Sequence, residues 1–526
     1  MTSSDVDSES GRSSPVLASI NSSSALILVH DDEEEDPDVN YAQDLEDVED
    51  DGDSPYLGIT RPYVQPLSPT TVLLYLLAPY LKLGAILLPN ADLPLRLSIP
   101  LLLAFAVLAV FARQIWYMLS RYLRKGPGEE DILVDAFSLS RGSRITRQRI
   151  RAVVRSGIRA VTGIFRLFLA TTYLREASFA LFSLLPSDIV VPNWAFTLIL
   201  AAFIYPFVIA QSLGSKRVRY TTWASIASYI IWFICVVFAH AHGALIGNSS
   251  WLRMGLLWEG TCMSTIAFTF TSSSTLILYS SLQASAHATN SAATKTSLSR
   301  SFKILSIISV VLAVCLTLPL LVFAAFPNKP QADIPSYRVI PFILALSSIT
   351  LLLGIPLVLT TTPSLPFPER FRRSTTIPLS KTFIFVVVVL LSNVPIYVSR
   401  VYNDVLIVCA LVGTYFLPAL VHICTHFFKR PLSIIMPTLP STPNDPFSAT
   451  FSSNLPPLPD SSSCPMSSTS TPPNSANDPL LQRKELMLQR KQFGRRVIWD
   501  IGVWTLLLPV GGGGFVWAIG RIAGRW

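Results

Sequence analysis

Leu97-Ser98-Ile99-Pro100-Leu101-Leu102-Leu103-Ala104-Phe105-Ala106-Val107-Leu108-Ala109-Val110-Phe111 continues apolar as far as Met118, with Arg113 as its one formal charge. Coiled as a helix at about 1.5 Å per residue, this run spans roughly 33 Å, enough to cross ~30 Å of hydrocarbon. Ten more runs of this kind flank it, at about 69–89, 161–186, 194–213, 220–239, 255–280, 304–326, 338–360, 382–398, 404–428 and 497–520. The expected class is an all-α integral membrane protein with about eleven transmembrane helices. Half of the residues are hydrophobic, 14% are charged and the mean hydropathy is +0.48, which excludes an ordinary soluble domain.

Charge orients the spans. Of the 41 Lys and Arg residues, 30 fall in the N-terminal tail and in loops 2–3, 4–5, 6–7, 8–9 and 10–11. Seven fall in the opposite loops and the C-terminal tip, and Lys82, Arg113, Arg166 and Arg175 lie inside spans. By the positive-inside rule the N-terminus is cytosolic and Trp526 lies on the far side. Asn248-Ser249-Ser250, a glycosylation acceptor pattern, falls in loop 5–6 on that far side; Asn21-Ser22-Ser23 in the tail matches the same pattern. The net charge of +8 conceals a division, since residues 1–60 carry −16 and the remainder +24. The basic residues are scattered over many loops, which fits an anionic leaflet and argues against nucleic acid.

The chain divides into a disordered acidic cytosolic tail at 1–66, ten transmembrane helices at 67–430, a Pro-, Ser- and Thr-rich cytosolic linker at 431–495 and an eleventh helix at 496–526. A short basic helix is expected at 483–496. The two polar segments are candidates for binding regulatory or trafficking proteins. Enzyme function is disfavoured: there is no GxSxG, no P-loop and no metal-ligand cluster. His422 and His426 are spaced i, i+4 but lack a third ligand, and the six cysteines show no CxxC spacing, so neither a metal nor another cofactor is expected. Five of the cysteines lie within spans and read as small buried hydrophobes.

Two spans are built to break. Span 1 contains Pro79 and ends in Gly84-Ala85-Ile86-Leu87-Leu88-Pro89, while span 6 carries Thr265-Ile266-Ala267-Phe268-Thr269-Phe270-Thr271-Ser272-Ser273-Ser274-Thr275. These are the first helices of two five-span halves, about 69–239 and 255–428. In inverted-repeat transporters the corresponding helices unwind around the substrate at the bilayer midplane. Interruptions are therefore expected near Gly84–Leu87 and Phe268–Ser272. Pro and Gly in membrane helices, and Ser/Thr runs between them, are also ordinary packing devices.

An ordered set of segments resembles the amino acid/auxin permease family across roughly 70–520. Ile204-Tyr205-Pro206-Phe207 and Tyr220 to Phe238 resemble its spans 4 and 5; Ala267-Phe268 through Tyr279, then Ser301-Phe302-Lys303, resemble span 6 and the opening of span 7. Leu353-Gly354-Ile355-Pro356-Leu357 resembles span 8, and Val412-Gly413 with Phe416-Leu417-Pro418-Ala419 resembles span 10. Glu130 to Phe137, the basic run after it and Tyr173 fit the family's loop 2–3 and third span. In span 1 only Gly84, Leu87, Leu88 and Pro89 keep the family's Gly-x-Gly-Ile-Leu-x-Leu-Pro register, and Lys82 precedes them. The resemblance implies a five-plus-five inverted-repeat (LeuT-like) core plus one extra helix, and secondary active transport of amino acids coupled to protons or, less often, to sodium. By analogy with family members carrying long acidic tails, it favours a vacuolar or endomembrane location over the plasma membrane. The alternative is a non-transporting sensor or scaffold on the same fold.

On that reading, backbone N–H groups around Gly84, Ala85 and Ile86 serve a substrate carboxylate, because freed N–H groups at a half-helix attract anions. Carbonyls near Ala267 and Phe268, with the hydroxyls of Thr269 and Thr271, serve its ammonium. Lys82, Glu176 and Glu259 are the candidates for charge coupling, since ionisable groups in a bilayer are costly to bury. Lys82 either stands in for a coupling cation or pairs with Asp92, and Arg166, near the end of span 3, is expected to snorkel. The charge asymmetry also makes a topological prediction. Cysteine-accessibility labelling in intact cells should find residue 248 and the C-terminal tip on one side of the membrane and loop 2–3 on the other. Labelling of all three from the same side would contradict it.

Overall fold

The computed structural model describes residues 66–90, 95–123, 129–137, 144–186, 191–210, 212–242, 262–272, 275–288, 295–325, 336–363, 379–425, 499–514, 516 and 520. The two polar segments, the basic helix, Asn248, Glu259, Asp92 and His426 lie outside them. Every element among the described residues is helical. Six helices are long and apolar enough to cross a membrane: Pro69–Leu87, Leu95–Ser120, Lys216–Ala241, Ser301–Ala324, Val339–Thr361 and Val401–Ile423. Asn193–Val208 and Leu379–Ser392 are apolar but shorter. The chain is thus a multi-pass all-α membrane protein. The other expected spans are interrupted, carry more charge or are described only in part.

In chain order, span 1 comprises α1 (Pro69–Leu77), a tightened 3₁₀ turn (Ala78–Leu81) and α2 (Leu83–Leu87). There follow α3 (Leu95–Leu123), α4 (Glu129–Phe137), α5 (Arg144–Phe182), α6 (Asn193–Val208) and α7 (Lys216–Ala241). The second half holds α8 (Cys262–Thr269), α9 (Thr275–Ala288), α10 (Lys295–Ala325), α11 (Ser336–Leu352), α12 (Ile355–Thr361), α13 (Leu379–Ser392), α14 (Ile396–Leu411) and α15 (Leu417–Ile423). A π turn over Val412–Phe416 joins α14 to α15, and a second covers Leu506–Gly512. Helix starts follow ordinary capping chemistry. The Ser68 hydroxyl accepts from the Thr71 N–H at 3.4 Å with Pro69 just inside α1, and Ser215 caps α7 through Val218 at 3.4 Å.

Burial separates the centre of the bundle from its lipid-facing rim. In the most apolar 18-residue stretch of Pro69–Leu87, 78% is buried inside the protein, against 33% for Leu95–Ser120 and 39% for both Lys216–Ala241 and Ser301–Ala324. Span 1 is therefore an inner element, and the exposed apolar side chains of the outer helices, such as Val107, Ile231 and Val311, are positioned to meet hydrocarbon. The last described segment packs on span 2 through Phe111 and Trp499, whose rings lie 4.7 Å apart.

Three sequence expectations need correction. Span 9 ends at Ser392 rather than near 398, because Asn393 and Val394 turn back onto Leu390 and Leu391 and Pro395 restricts its neighbour to extended backbone. Span 3 extends back through the basic run to Arg144, where Arg159 meets Glu130 of α4 at 2.5 Å. Of the cysteines whose exposure is described, Cys235, Cys409 and Cys424 are only half-buried, and Cys315 faces outward. A thiol is apolar enough to sit against lipid as readily as in a core.

Candidate functional site

The break in span 1 lies one turn earlier than its glycine suggested. Residues 83–87 are helical, and the distortion falls on the 3₁₀ turn and on Lys82, whose backbone (φ −115°, ψ −143°) belongs to neither helix. Pro79 removes a donor inside this turn. In a 3₁₀ turn each N–H reaches three residues back instead of four, so the Leu76 carbonyl loses its partner in the ladder. Arg113 of α3 supplies the missing donor at 2.9 Å.

Span 6 breaks where the sequence placed it. Helix α8 ends at Thr269, Phe270 to Ser272 leave the helix and α9 starts at Thr275. The Thr271 N–H turns back to Phe268 at 3.0 Å instead of to Ala267. The Ala267 carbonyl, released in this way, accepts from the Tyr415 hydroxyl at 3.1 Å. Thr414 adds a contact from the same π turn, its hydroxyl accepting the Ser272 N–H at 3.3 Å. Single π turns of this kind widen a helix and frequently accompany functional sites.

Span 8 has a third interruption, between α11 and α12. There the Gly354 N–H bonds to Leu351 at 3.0 Å, leaving the Thr350 carbonyl free. Lys82 donates to that carbonyl at 3.0 Å and also to the Ser225 hydroxyl, while Ser225 itself donates to the carbonyl at 2.7 Å. A Cβ at Gly354 would lie 3.1 Å from both Cε and Nζ of Lys82, so the missing side chain makes room for the ammonium. Lys82 therefore ties the break in span 1 to spans 5 and 8. Among the described residues it meets no carboxylate; Asp92, the alternative partner, lies outside them.

The two main breaks meet directly. A Cβ at Gly84 would lie 2.6 Å from Thr269 Oγ1, 2.7 Å from its Cα and 2.9 Å from its backbone nitrogen. Pro79, Leu83, Gly84, Phe165, Leu169, Tyr173, Phe268, Thr271 and Ser272 enclose a cavity of about 30 Å³ between them. That is about one water's share of liquid volume. Of the expected ligands, Gly84, Phe268 and Thr271 line this space. Ala85 and Ile86 are buried beside it in α2, Ala267 and Thr269 are buried in α8, and these four are absent from the cavity's lining. The hydroxyl hydrogens and the Ala267 carbonyl are already engaged within the protein, while the hydroxyl oxygens keep lone pairs to accept with. Thr269 donates to Thr265 at 2.8 Å, Thr271 donates to Phe268 at 2.8 Å, and Ala267 holds Tyr415.

Two ionisable groups frame the junction. Arg113, 3% exposed, donates to Leu76, to Ser309 at 2.9 Å and to Ser272 at 3.3 Å, with its guanidinium carbon 4.5 Å from the Tyr80 ring centroid. Glu176, 2% exposed, leaves Oε2 without a hydrogen bond. Its neighbour Arg175 turns away, donating to the Val394 carbonyl at 3.3 Å and to Tyr402 at 3.0 Å. Tyr173 precedes Glu176 by three residues on the same face of α5 and lines the small cavity. Arg166 does not snorkel; it is buried and donates to the Thr361 carbonyl at the end of α12. Arg113, Ser225, Thr350, Thr414 and Tyr415 were missed as site residues. The isolated charge of Arg113 was the one available signal. No group of three or more potential metal ligands occurs among the described residues.

No family model matches the chain, and no curated protein matches it.

The close approach at Gly84 makes a test by mutation direct. Gly84→Ala should destabilise the protein by about 1–3 kcal/mol, because backbone atoms of Thr269 must shift to admit a methyl group. Gly163→Ala, where the nearest atom is 3.8 Å away, should be neutral or slightly stabilising. Thermal unfolding of the two purified variants checks this, and equal melting temperatures would contradict the contact. A leucine at Gly84 should prevent folding, so its loss of activity would not report on substrate access.

Proposed function

We propose that this chain is a secondary active transporter of amino acids with a five-plus-five inverted-repeat core, coupled to a proton or sodium gradient. The observation that carries the reading is the meeting of two interrupted helices, Gly84 against Thr269, with buried Arg113 and Lys82 bonded around the break in span 1. A zwitterion entering a low-dielectric site needs donors for its carboxylate and acceptors for its ammonium. This junction holds both kinds of group in protein-to-protein bonds that can be exchanged for bonds to substrate. Displacing Tyr415 from Ala267 opens an acceptor; of the expected donors, the Ile86 N–H is bonded to the Lys82 carbonyl at 3.0 Å, so the carboxylate falls to the N–H groups of Gly84 and Ala85. The cavity is too small for an amino acid, so binding requires spans 1 and 6 to separate.

Glu176 is the proposed proton carrier. It is a buried carboxyl one helical turn along α5 from Tyr173, which lines the cavity at the junction. Lys82 acts as a fixed tether that occupies, in effect, the place of a bound cation between spans 1, 5 and 8. The charge asymmetry puts the N-terminus in the cytosol, and the analogy with permease family members carrying long acidic tails favours an endomembrane or vacuolar location.

The alternative is a sensor or scaffold, favoured by the packing of Phe165, Leu169, Tyr173 and Phe268 that nearly fills the site. Purified protein in proteoliposomes, assayed for uptake across the amino acids with and without a pH gradient, separates the two. A transporter should accumulate at least one amino acid when a gradient is imposed. Glu176→Gln should retain substrate exchange but lose the response to pH. Absence of uptake for every amino acid, with either protons or sodium, would remove the transport reading and leave the sensor.

A further inference from the structure

A second cavity, of about 70 Å³, lies between α3 and α10 and shares Arg113 with the junction; it is lined by Val110, Arg113, Gln114, Tyr117, Phe302, Lys303, Ser306 and Ile307. Its polar lining is made of groups able to donate. The Ser306 hydroxyl is buried, in a residue 5% exposed, and has no hydrogen-bond partner among the described residues. The Lys303 ammonium lies 5.5 Å from the Tyr117 ring centroid and has no acceptor among the described residues. Arg113 spends three of its N–H groups on Leu76, Ser272 and Ser309, and a guanidinium has five. None of the residues lining the cavity is a carboxylate. Two cations, an unsatisfied hydroxyl and a carboxamide around one hollow lack an anion.

The position of the cavity indicates which anion. Lys303 is the third residue of the apolar stretch Ser301–Ala324, and Gln114 and Tyr117 fall in the last turns of Leu95–Ser120, so the cavity opens at one edge of the hydrocarbon. Arg113 sits seven residues before Ser120, roughly 10 Å deeper along the helix. Ile307, 48% exposed, flanks the opening on the lipid side. A volume several times the ~10–15 Å³ a cavity needs to hold one water leaves room for a compact tetrahedral oxyanion. We propose that this cavity binds a phosphate oxyanion at the membrane edge, held by Lys303 and Ser306 and capped from within by Arg113. The inference rests on the membrane assignment and not on the transport reading.

Lipid headgroups and free phosphate share this chemistry, and the experiment has an arm for each. Full-length protein in phosphatidylcholine nanodiscs, with and without phosphatidic acid, is examined by native mass spectrometry for retained lipid. In parallel, inorganic phosphate is tested by thermal shift against equal ionic strength of chloride. Wild type should retain one phosphatidic acid, or shift with phosphate if the source is soluble. Lys303→Gln should weaken that binding about tenfold, the usual effect of losing one charge-assisted bond. Ser306→Leu should abolish it by filling the hollow. Lys303 is half-buried at the rim, so its variant reports even if Ser306→Leu fails to fold. Wild type binding neither probe, or Lys303→Gln binding as tightly as wild type, overturns the proposal.

Discussion

A backbone carbonyl released from its helix inside a bilayer has no water to accept from, and the described bundle is organised around that constraint. Each of the three interruptions frees a carbonyl, and each carbonyl is met by a side chain from another helix. Leu76 in span 1 takes Arg113 from span 2; Ala267 in span 6 takes Tyr415 from span 10; Thr350 in span 8 takes Lys82 and Ser225 from spans 1 and 5. The same device recurs at helix ends. Arg166 caps Thr361, Arg175 caps Val394, Lys381 caps Ala210 at 2.7 Å and Tyr75 caps Leu213 at 2.7 Å. The breaks are therefore tertiary features, each stabilised by a neighbouring helix and each a point where that neighbour can let go.

This arrangement explains how Arg113 and Lys82 are tolerated with no carboxylate against them among the described residues. A guanidinium that serves three acceptors on three helices recovers much of its lost hydration through hydrogen bonds rather than through an ion pair. It also fixes the spacing of the helices it joins. Arg113 touches the span 1 turn, the span 6 break and span 7, so a movement of any one is felt by the others. Because Arg113 also lines the cavity beside Lys303, an anion held at the membrane edge would bear on the same junction.

Much of this was legible in the sequence. Hydropathy gave the membrane class, and the hydroxyl run from Thr269 to Ser274 located the break in span 6, because Ser and Thr are what a distorted membrane helix needs. The break in span 1 was displaced by a turn because Gly84 was read as a site of unwinding. Its hydrogen in place of a side chain instead lets α2 lie against Thr269. Of the site residues the sequence did not single out, Arg113, Ser225 and Tyr415 donate to backbone carbonyls and Thr350 supplies one. A carbonyl belongs to every residue and leaves no pattern, so only the fold shows which one has been released. Span 9 was overextended because Asn393-Val394-Pro395 is apolar enough to pass as part of a helix until its turn is seen.

The central claim, that side-chain caps hold the breaks, is tested most directly by amide hydrogen exchange of the full chain in lipid nanodiscs, comparing wild type with Tyr415→Phe. That substitution removes one hydroxyl and leaves the ring. If the hydroxyl caps Ala267, exchange should accelerate in the peptide covering 270–272, where the Thr271 and Ser272 N–H groups are held, while Lys216–Ala241 keeps its rate. Unchanged exchange at 270–272, or equal acceleration through both segments, would contradict the account.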